Sequence, residues 1–178
     1  MKKIVLICIL ILCMSLVSCS TIQGYVDALD KLLNPSALTV VLYDADGKIV
    51  DLERSNYELP NKYWEPNINQ VHYFSVTNNT DHDITYTVIL EIKEVEHNLT
   101  EVLDYTVIQG AKYEDNISLK NYSLYPLMDG TNDTGINNVV IPSGSTQYYA
   151  IGFYMHPDAG NEYQNANLKT FLNVKIEH

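Results

Sequence analysis

The chain has 178 residues, enough for one domain with a short leader or tether, and a domain of this size can bury a core without disulfides. Its 11 basic and 22 acidic residues give a formal net charge of −11, a field that repels nucleic acid and anionic lipid headgroups at long range. Tyrosine, at 14 residues against 3 phenylalanines and 1 tryptophan, favours pleated, half-buried surface and suits contact with ligands or partners.

The leader comes first. Lys2 and Lys3 precede an apolar stretch, Ile4 to Val17, broken only by Ser15. That is shorter than the about 20 residues a membrane-crossing helix needs and matches a signal-peptide core. Leu16-Val17-Ser18-Cys19 resembles a bacterial lipobox. The resemblance implies cleavage after Ser18, lipid on the Cys19 thiol, and an extracytoplasmic protein anchored to the cell membrane. Residues 1–18 are then a lipoprotein signal peptide, 19–37 a lipidated tether, and 38–178 the exported domain. Cys8 and Cys13 leave with the signal, so the domain has no cysteine for disulfides or thiolate metal sites.

Ile22, Val26, Leu29 and Leu33 fall on one helical face, and Pro35 ends that short tether helix. From Leu38 the period changes to two. Residues 38–43, the Asp44-Ala45-Asp46-Gly47 turn and residues 48–52 predict a β-hairpin. Residues 53–69 are a long loop holding Tyr57, Tyr63, Trp64 and Pro66. Residues 70–77 predict a strand, and Asn78-Asn79-Thr80-Asp81 is turn chemistry.

Residues 84–94 give the clearest strand, with Ile84, Tyr86, Val88, Leu90 and Ile92 on one face. A single helical turn over 99–103 precedes a strand over 105–108. In the irregular stretch 110–138, Ile117, Leu119, Tyr122, Leu124 and Leu127 predict a short helix or irregular core cover, and 129–135 a loop. Residues 139–141 form a short strand, followed by a Pro142-Ser143-Gly144 turn. Alternation then predicts strands over 147–155 and 168–176. Many short strands without long helices between them predict an all-β fold, an antiparallel β-sandwich with short helical segments.

Chemistry is sparse. His72, His82, His97, His156 and His178 show no metal-ligand spacing, and no catalytic-nucleophile or phosphate-binding motif occurs. Asp44 and Asp46 lack the further ligands of a calcium loop. Asp129, Asn132 and Asp133 make a somewhat better cation candidate, against the plain-loop alternative. The expectation is no enzyme, no cofactor and no metal. Trp64, with Tyr57 and Tyr63, offers an aromatic platform for a cell-wall glycan; the alternative is that Trp64 plugs one end of the sandwich.

Two segments carry a family resemblance. One is Trp64-Glu65-Pro66-Asn67 with the strand and Asn78-Asn79-Thr80 that follow. The other is Pro142-Ser143-Gly144-Ser145 through Ala159-Gly160-Asn161-Glu162-Tyr163-Gln164. Together they resemble the TasA/camelysin-like proteins of Gram-positive bacteria, over residues 38–178. The resemblance implies a jelly-roll sandwich, secretion, and a role in biofilm matrix or surface fibres, where a strand of one subunit completes the sheet of the next. Asn67 stands where that family usually has Gly, and the Cys19 lipobox differs from its usual released form. Some members carry a metallopeptidase label, which no zinc-ligand motif here supports.

In structural terms, Gly160 and Asn161 suit a turn with positive φ, and Tyr163 is expected to pack with its hydroxyl bonded. The functional expectation is a lipid-anchored structural or interaction protein of the cell-surface fibre or biofilm matrix. A glycan- or peptidoglycan-binding module is the alternative. The sheet edges expected to carry association, with a protein partner or a second copy, are the first hairpin and the terminal strand.

Overall fold

The computed structural model describes residues 36–177 apart from 44–47, 50–55, 60–63, 67–68, 114, 116 and 165. Cys19, the tether helix, the Asp44–Gly47 turn and Tyr63 lie outside the described residues. The unit Leu38–His178 carries every strand described below.

Among the described residues ten strands form two antiparallel sheets: β1 (Leu38–Tyr43), β2 (Asn56–Leu59), β3 (Asn69–Asn78), β4 (Ile84–Val95), β5 (Leu103–Gln109), β6 (Tyr125–Pro126), β7 (Gly130–Asp133), β8 (Val139–Ile141), β9 (Thr146–Met155) and β10 (Leu168–Ile176). The first sheet runs β1-β3-β9-β5-β6. The second runs β2-β10-β4-β7, with β8 also pairing β4. Apart from β5–β6 and β7–β8, each strand is followed by one in the other sheet. The expected all-β sandwich is therefore present.

Alternation decides which residues meet between the sheets. Val40, Leu42, Phe74, Val76, Tyr149, Ile151 and Phe153 come from the first sheet; Tyr86, Val88, Leu90, Leu168 and Leu172 come from the second, and all are buried. Fully burying one such aliphatic or aromatic side chain contributes roughly 1.5–3 kcal/mol, so this stack supplies the main driving force. Polar groups bind the sheets together within it. The Tyr86 hydroxyl donates to Gln147 Oε1 at 2.6 Å, that oxygen accepts from Tyr149 at 3.1 Å, and Gln147 Nε2 donates to the Val140 carbonyl. Burial and the neighbouring phenol push the Tyr86 pKa far above the usual tyrosine value.

Asn78, fully buried at the end of β3, organises the crossing to β4. Its Nδ2 donates to the carbonyls of His82 (2.8 Å) and Ile141 (3.0 Å). Its Oδ1 accepts from the Thr80 N–H and hydroxyl. The turn read from Asn78-Asn79-Thr80-Asp81 is thus built round one amide that satisfies every bond it can make.

The first sheet is also covered on its outer face. The described residues of 111–124 lie across it, with Ala111 and Leu119 buried against Ile108 and Ala150, and Ile117 and Leu124 packed beside them. Gly152 permits this approach: a Cβ there would sit 2.3 Å from Leu119 Cδ2. The stretch contains a 3-10 turn, Leu119–Asn121, and otherwise irregular cover. The single turn expected near 99–103 is the 3-10 turn Leu99–Val102.

Three expectations are corrected. The terminal strand β10 is not an edge, because β2 pairs with its residues 170–173 and β4 runs along its other side. The strand β2 lies inside the span read as a continuous loop, where backbone pairing overrides a polar sequence with little alternation. The loop read over 129–135 contains β7, held against residues 89–92 of β4. Its sequence, Gly-Thr-Asn-Asp, has poor strand propensity, and tertiary pairing decides it.

Candidate functional site

Association by strand pairing needs a strand with backbone groups still facing outward. Among the described residues β1 is the first strand of the first sheet's order, with the Tyr43–Ile49 bridge beside its last residue. The other edge is less regular. β9 pairs with β5 along its whole length, from Leu103 to Gln109. On the opposite side β6 covers only Asp104 and Tyr105.

The register fixes which groups are exposed. The Leu103 carbonyl accepts from Leu127 N–H at 3.0 Å on the β6 side, whereas Gly110 N–H reaches Tyr148 in β9. Successive residues of a strand point their backbone groups to alternate sides. Val107 and Gln109 therefore turn their N–H and C=O outward, past the end of β6. Pro126, lacking a donor, ends the short β6 as proline does on sheet edges.

A groove of about 610 Å³ runs along this open stretch, lined by Tyr105, Val107, Tyr125, Met128, Asp133 and Thr134 among others. Tyr125 and Met128 are 58% and 60% exposed, the most open large apolar side chains among the described residues. The Tyr105 hydroxyl donates to the Asp133 carbonyl at 2.6 Å and ties the groove floor to β7. Burial, with Asp133 nearby, raises the Tyr105 pKa, so the phenol stays protonated and remains a donor. Asp133 in turn accepts from the Gly135 N–H and Asn137 Nδ2, both at 2.8 Å, and these bonds hold its carboxyl below the usual range. The site thus combines an apolar wall, backbone unpaired among the described residues, and a polar rim. That combination suits an extended segment rather than a reaction.

The residues singled out in the sequence are distributed differently. Trp64 is 2% exposed and meets Phe153 edge-on at 6.2 Å, so it fills the core as the plugging alternative holds. An exposed platform built on Trp64 is not what the fold presents. Tyr57 lies on β2, and its side chain, like Tyr63, falls outside the described residues. Pro66 is half-buried.

The Ala159–Gln164 run forms a 3-10 turn, Asn161–Tyr163, whose Glu162 carbonyl lies 2.7 Å from His97 Nδ1. Gly160 has φ −75°, and Asn161 is not among the residues with positive φ, so the expected left-handed turn is absent. A Cβ at Gly160 would meet only the carboxylate end of the exposed Glu162 side chain, which can swing aside. Ala159 and Tyr163 are half-buried and Gln164 Nε2 donates to Asn161 Oδ1, so the run is a structural corner. The Tyr163 hydroxyl has no partner among the described residues, contrary to expectation.

Asp129 and Asp133 do not converge. Asp129 accepts from the Thr100 hydroxyl, Asp133 caps its own turn, and buried Asn132 bonds back to Met128. The loop chemistry accounts for all three. His72 is buried against Phe153, while His82, His97 and His156 take separate partners. No group of three His, Cys, Asp or Glu residues among the described residues is placed to hold a metal, and none of their helices is long and apolar enough to cross a membrane.

Sequence reasoning missed Val107, Gln109, Tyr125 and Met128. The one signal was Tyr125-Pro126, since proline in a strand marks an edge. Compared with family models, with curated proteins and with solved structures, the chain has no match.

Proposed function

We propose that this chain is a lipid-anchored extracellular interaction protein, tethered through Cys19, that docks an extended strand on the open edge of β5. The setting that fits the residue resemblance is assembly or anchoring of a cell-surface fibre or biofilm matrix. The carrying observation is the outward-facing backbone of Val107 and Gln109 beside an apolar groove. Strand addition supplies main-chain hydrogen bonds, while pockets for alternate side chains supply selectivity. The lipobox supports the tether, because lipid anchoring keeps such an edge at the cell surface, with stable anchoring when two acyl chains are attached.

Two variants test the two halves. The full chain is expected to pellet with membranes, and Cys19→Ala to release it; retention of the variant in the membrane fraction overturns the lipoprotein reading. The domain from residue 20 is expected to form oligomers or fibres in light scattering and negative-stain microscopy. Val107→Pro, which removes one outward donor at an edge position, should abolish them. Assembly unchanged by Val107→Pro rules out the β5 edge. A wild-type domain that stays monomeric rules out docking between copies.

A further inference from the structure

A second feature lies on the outer face of the first sheet, away from the β5 edge and independent of strand docking. Tyr43 and Tyr73 are register partners on β1 and β3, and Ser75 is partnered by Tyr148 of β9. Three neighbouring strands thus place three phenols on one face. The segment after β5 closes the array from the side: Ala111, Lys112 and Tyr113 line, with these tyrosines, a cleft of about 210 Å³. Pockets for drug-sized ligands run from about 300 to 1,000 Å³, so this one is sized for a single ring.

The groups in the cleft divide by role. Tyr73 is part of the floor: its hydroxyl donates to the Asp115 carbonyl at 2.7 Å, and burial raises its pKa. Tyr43 is steadied by Ser75, hydroxyl to hydroxyl at 3.3 Å. The Tyr113 ring lies nearly parallel to Tyr43, at 16° and 6.2 Å between centroids, and is 43% exposed, so its outer face is open to stacking. The hydroxyls of Tyr113 and Tyr148 have no partner among the described residues and are available to a ligand.

Lys112 supplies the one charge that points to a class. Its ammonium sits over the Tyr148 ring, 5.0 Å from the centroid. It makes no ion pair among the described residues, although the chain is strongly acidic. The Asp115 carboxylate is engaged by the Lys112 backbone N–H at 2.7 Å. A cation over an aromatic face keeps two or more of its donors for another acceptor. Flat rings with hydroxyls accept the apolar face and the edge of a sugar, and the ammonium accepts a carboxylate.

We propose that Tyr43, Lys112, Tyr113 and Tyr148 form a subsite for one carboxylate-bearing sugar ring of an acidic glycan. The ring stacks on Tyr113, its hydroxyls bond the phenols of Tyr113 and Tyr148, and its carboxylate pairs with Lys112. The negative field of the whole chain opposes a long polyanion, so recognition is local, one residue at a time.

The test is titration of the labelled full-length protein in detergent, read by amide chemical shifts and calorimetry. The probes are a galacturonic-acid trimer, N-acetylmuramic acid and, as the neutral control, an N-acetylglucosamine trimer. At least one acidic probe is expected to shift Lys112 and Tyr113 and to bind more tightly than the neutral trimer. Lys112→Gln should weaken the acidic probe about tenfold, the size of one charge-assisted hydrogen bond, and leave the neutral one unchanged. Tyr113→Ala, at an exposed position that leaves the fold intact, should remove the shifts. Binding of only the trimer or only the muramyl compound assigns the source of the acid. Equal affinity for acidic and neutral probes, insensitivity to Lys112→Gln, or no shift with either acidic probe overturns the proposal.

Discussion

The two faces of the first sheet are buried by different means. Its inner face meets another sheet, strand against strand, and period-two alternation supplies matched apolar rows on both sides. Its outer face is covered in part by 111–124, an irregular segment with one 3-10 turn that reaches the sheet through Leu119. The inner face is held by many equivalent contacts and by polar bridges such as Tyr86–Gln147. The outer one centres on one leucine seated over one glycine, with Ala111, Ile117 and Leu124 beside it. Burial by repetition spreads the load; burial by one knob concentrates it.

That contrast can be broken at three places. The largest effect is expected from Asn78→Ala, which strips four hydrogen bonds from the end of β3, the buried one to the Ile141 carbonyl among them. The cost should be roughly 3–5 kcal/mol, seen as a lower midpoint in chemical denaturation with cooperative unfolding of both sheets.

A smaller and more local effect is expected on the outer face. Leu119→Ala should cost about 2–4 kcal/mol through the cavity it leaves, and Gly152→Ala about 1–3 kcal/mol through overpacking. Hydrogen exchange should rise in 111–124 while β4 and β10 keep their protection. The double variant should cost less than the sum of the two, because the new methyl occupies space the leucine has vacated. Additive costs would mean that Leu119 does not sit over Gly152.

The smallest effect concerns pH. Burial raises the pKa of Tyr73, Tyr86, Tyr105 and Tyr149 in the folded protein. The unfolded chain loses those protons near the ordinary tyrosine value of about 10, so the native state then holds more protons. Their contribution is fully present below that pH and is lost as pH rises above it. Thermal melts should show stability falling above about pH 10. Tyr86→Phe should cost about 1 kcal/mol at neutral pH and make the alkaline fall shallower.

The inner face was legible in the sequence because alternation reports it directly. Ile84 to Ile92 and Leu168 to Ile176 read as strands and are strands. The outer cover was legible only as a list: Ile117, Leu119 and Leu124 were recognisable as apolar, but not where they land. Residues 149–153 of β9 are buried on both faces, Ala150 and Gly152 included, although alternation alone does not say that both rows are covered. Small residues there signal a close neighbour as readily as exposure. Edge positions were least legible of all. Which strand lies outermost is a property of pairing order, which joins Leu172 to Tyr57 and Tyr105 to Tyr125 across spans with no local signature.

β9 is bonded to β3 on one side and β5 on the other, both formed far earlier in the chain. Until residue 155 is available, neither of those strands has the neighbour that joins them, and the first sheet has no centre. A ribosome therefore delivers most of the domain before the first sheet can be joined into one. Long loops must be drawn together before their contacts repay the lost entropy, which puts folding on the millisecond-to-second scale of β-sandwiches. During that interval the unjoined strands present exposed edges, so the chain is most prone to wrong partners while it waits for its last forty residues or so.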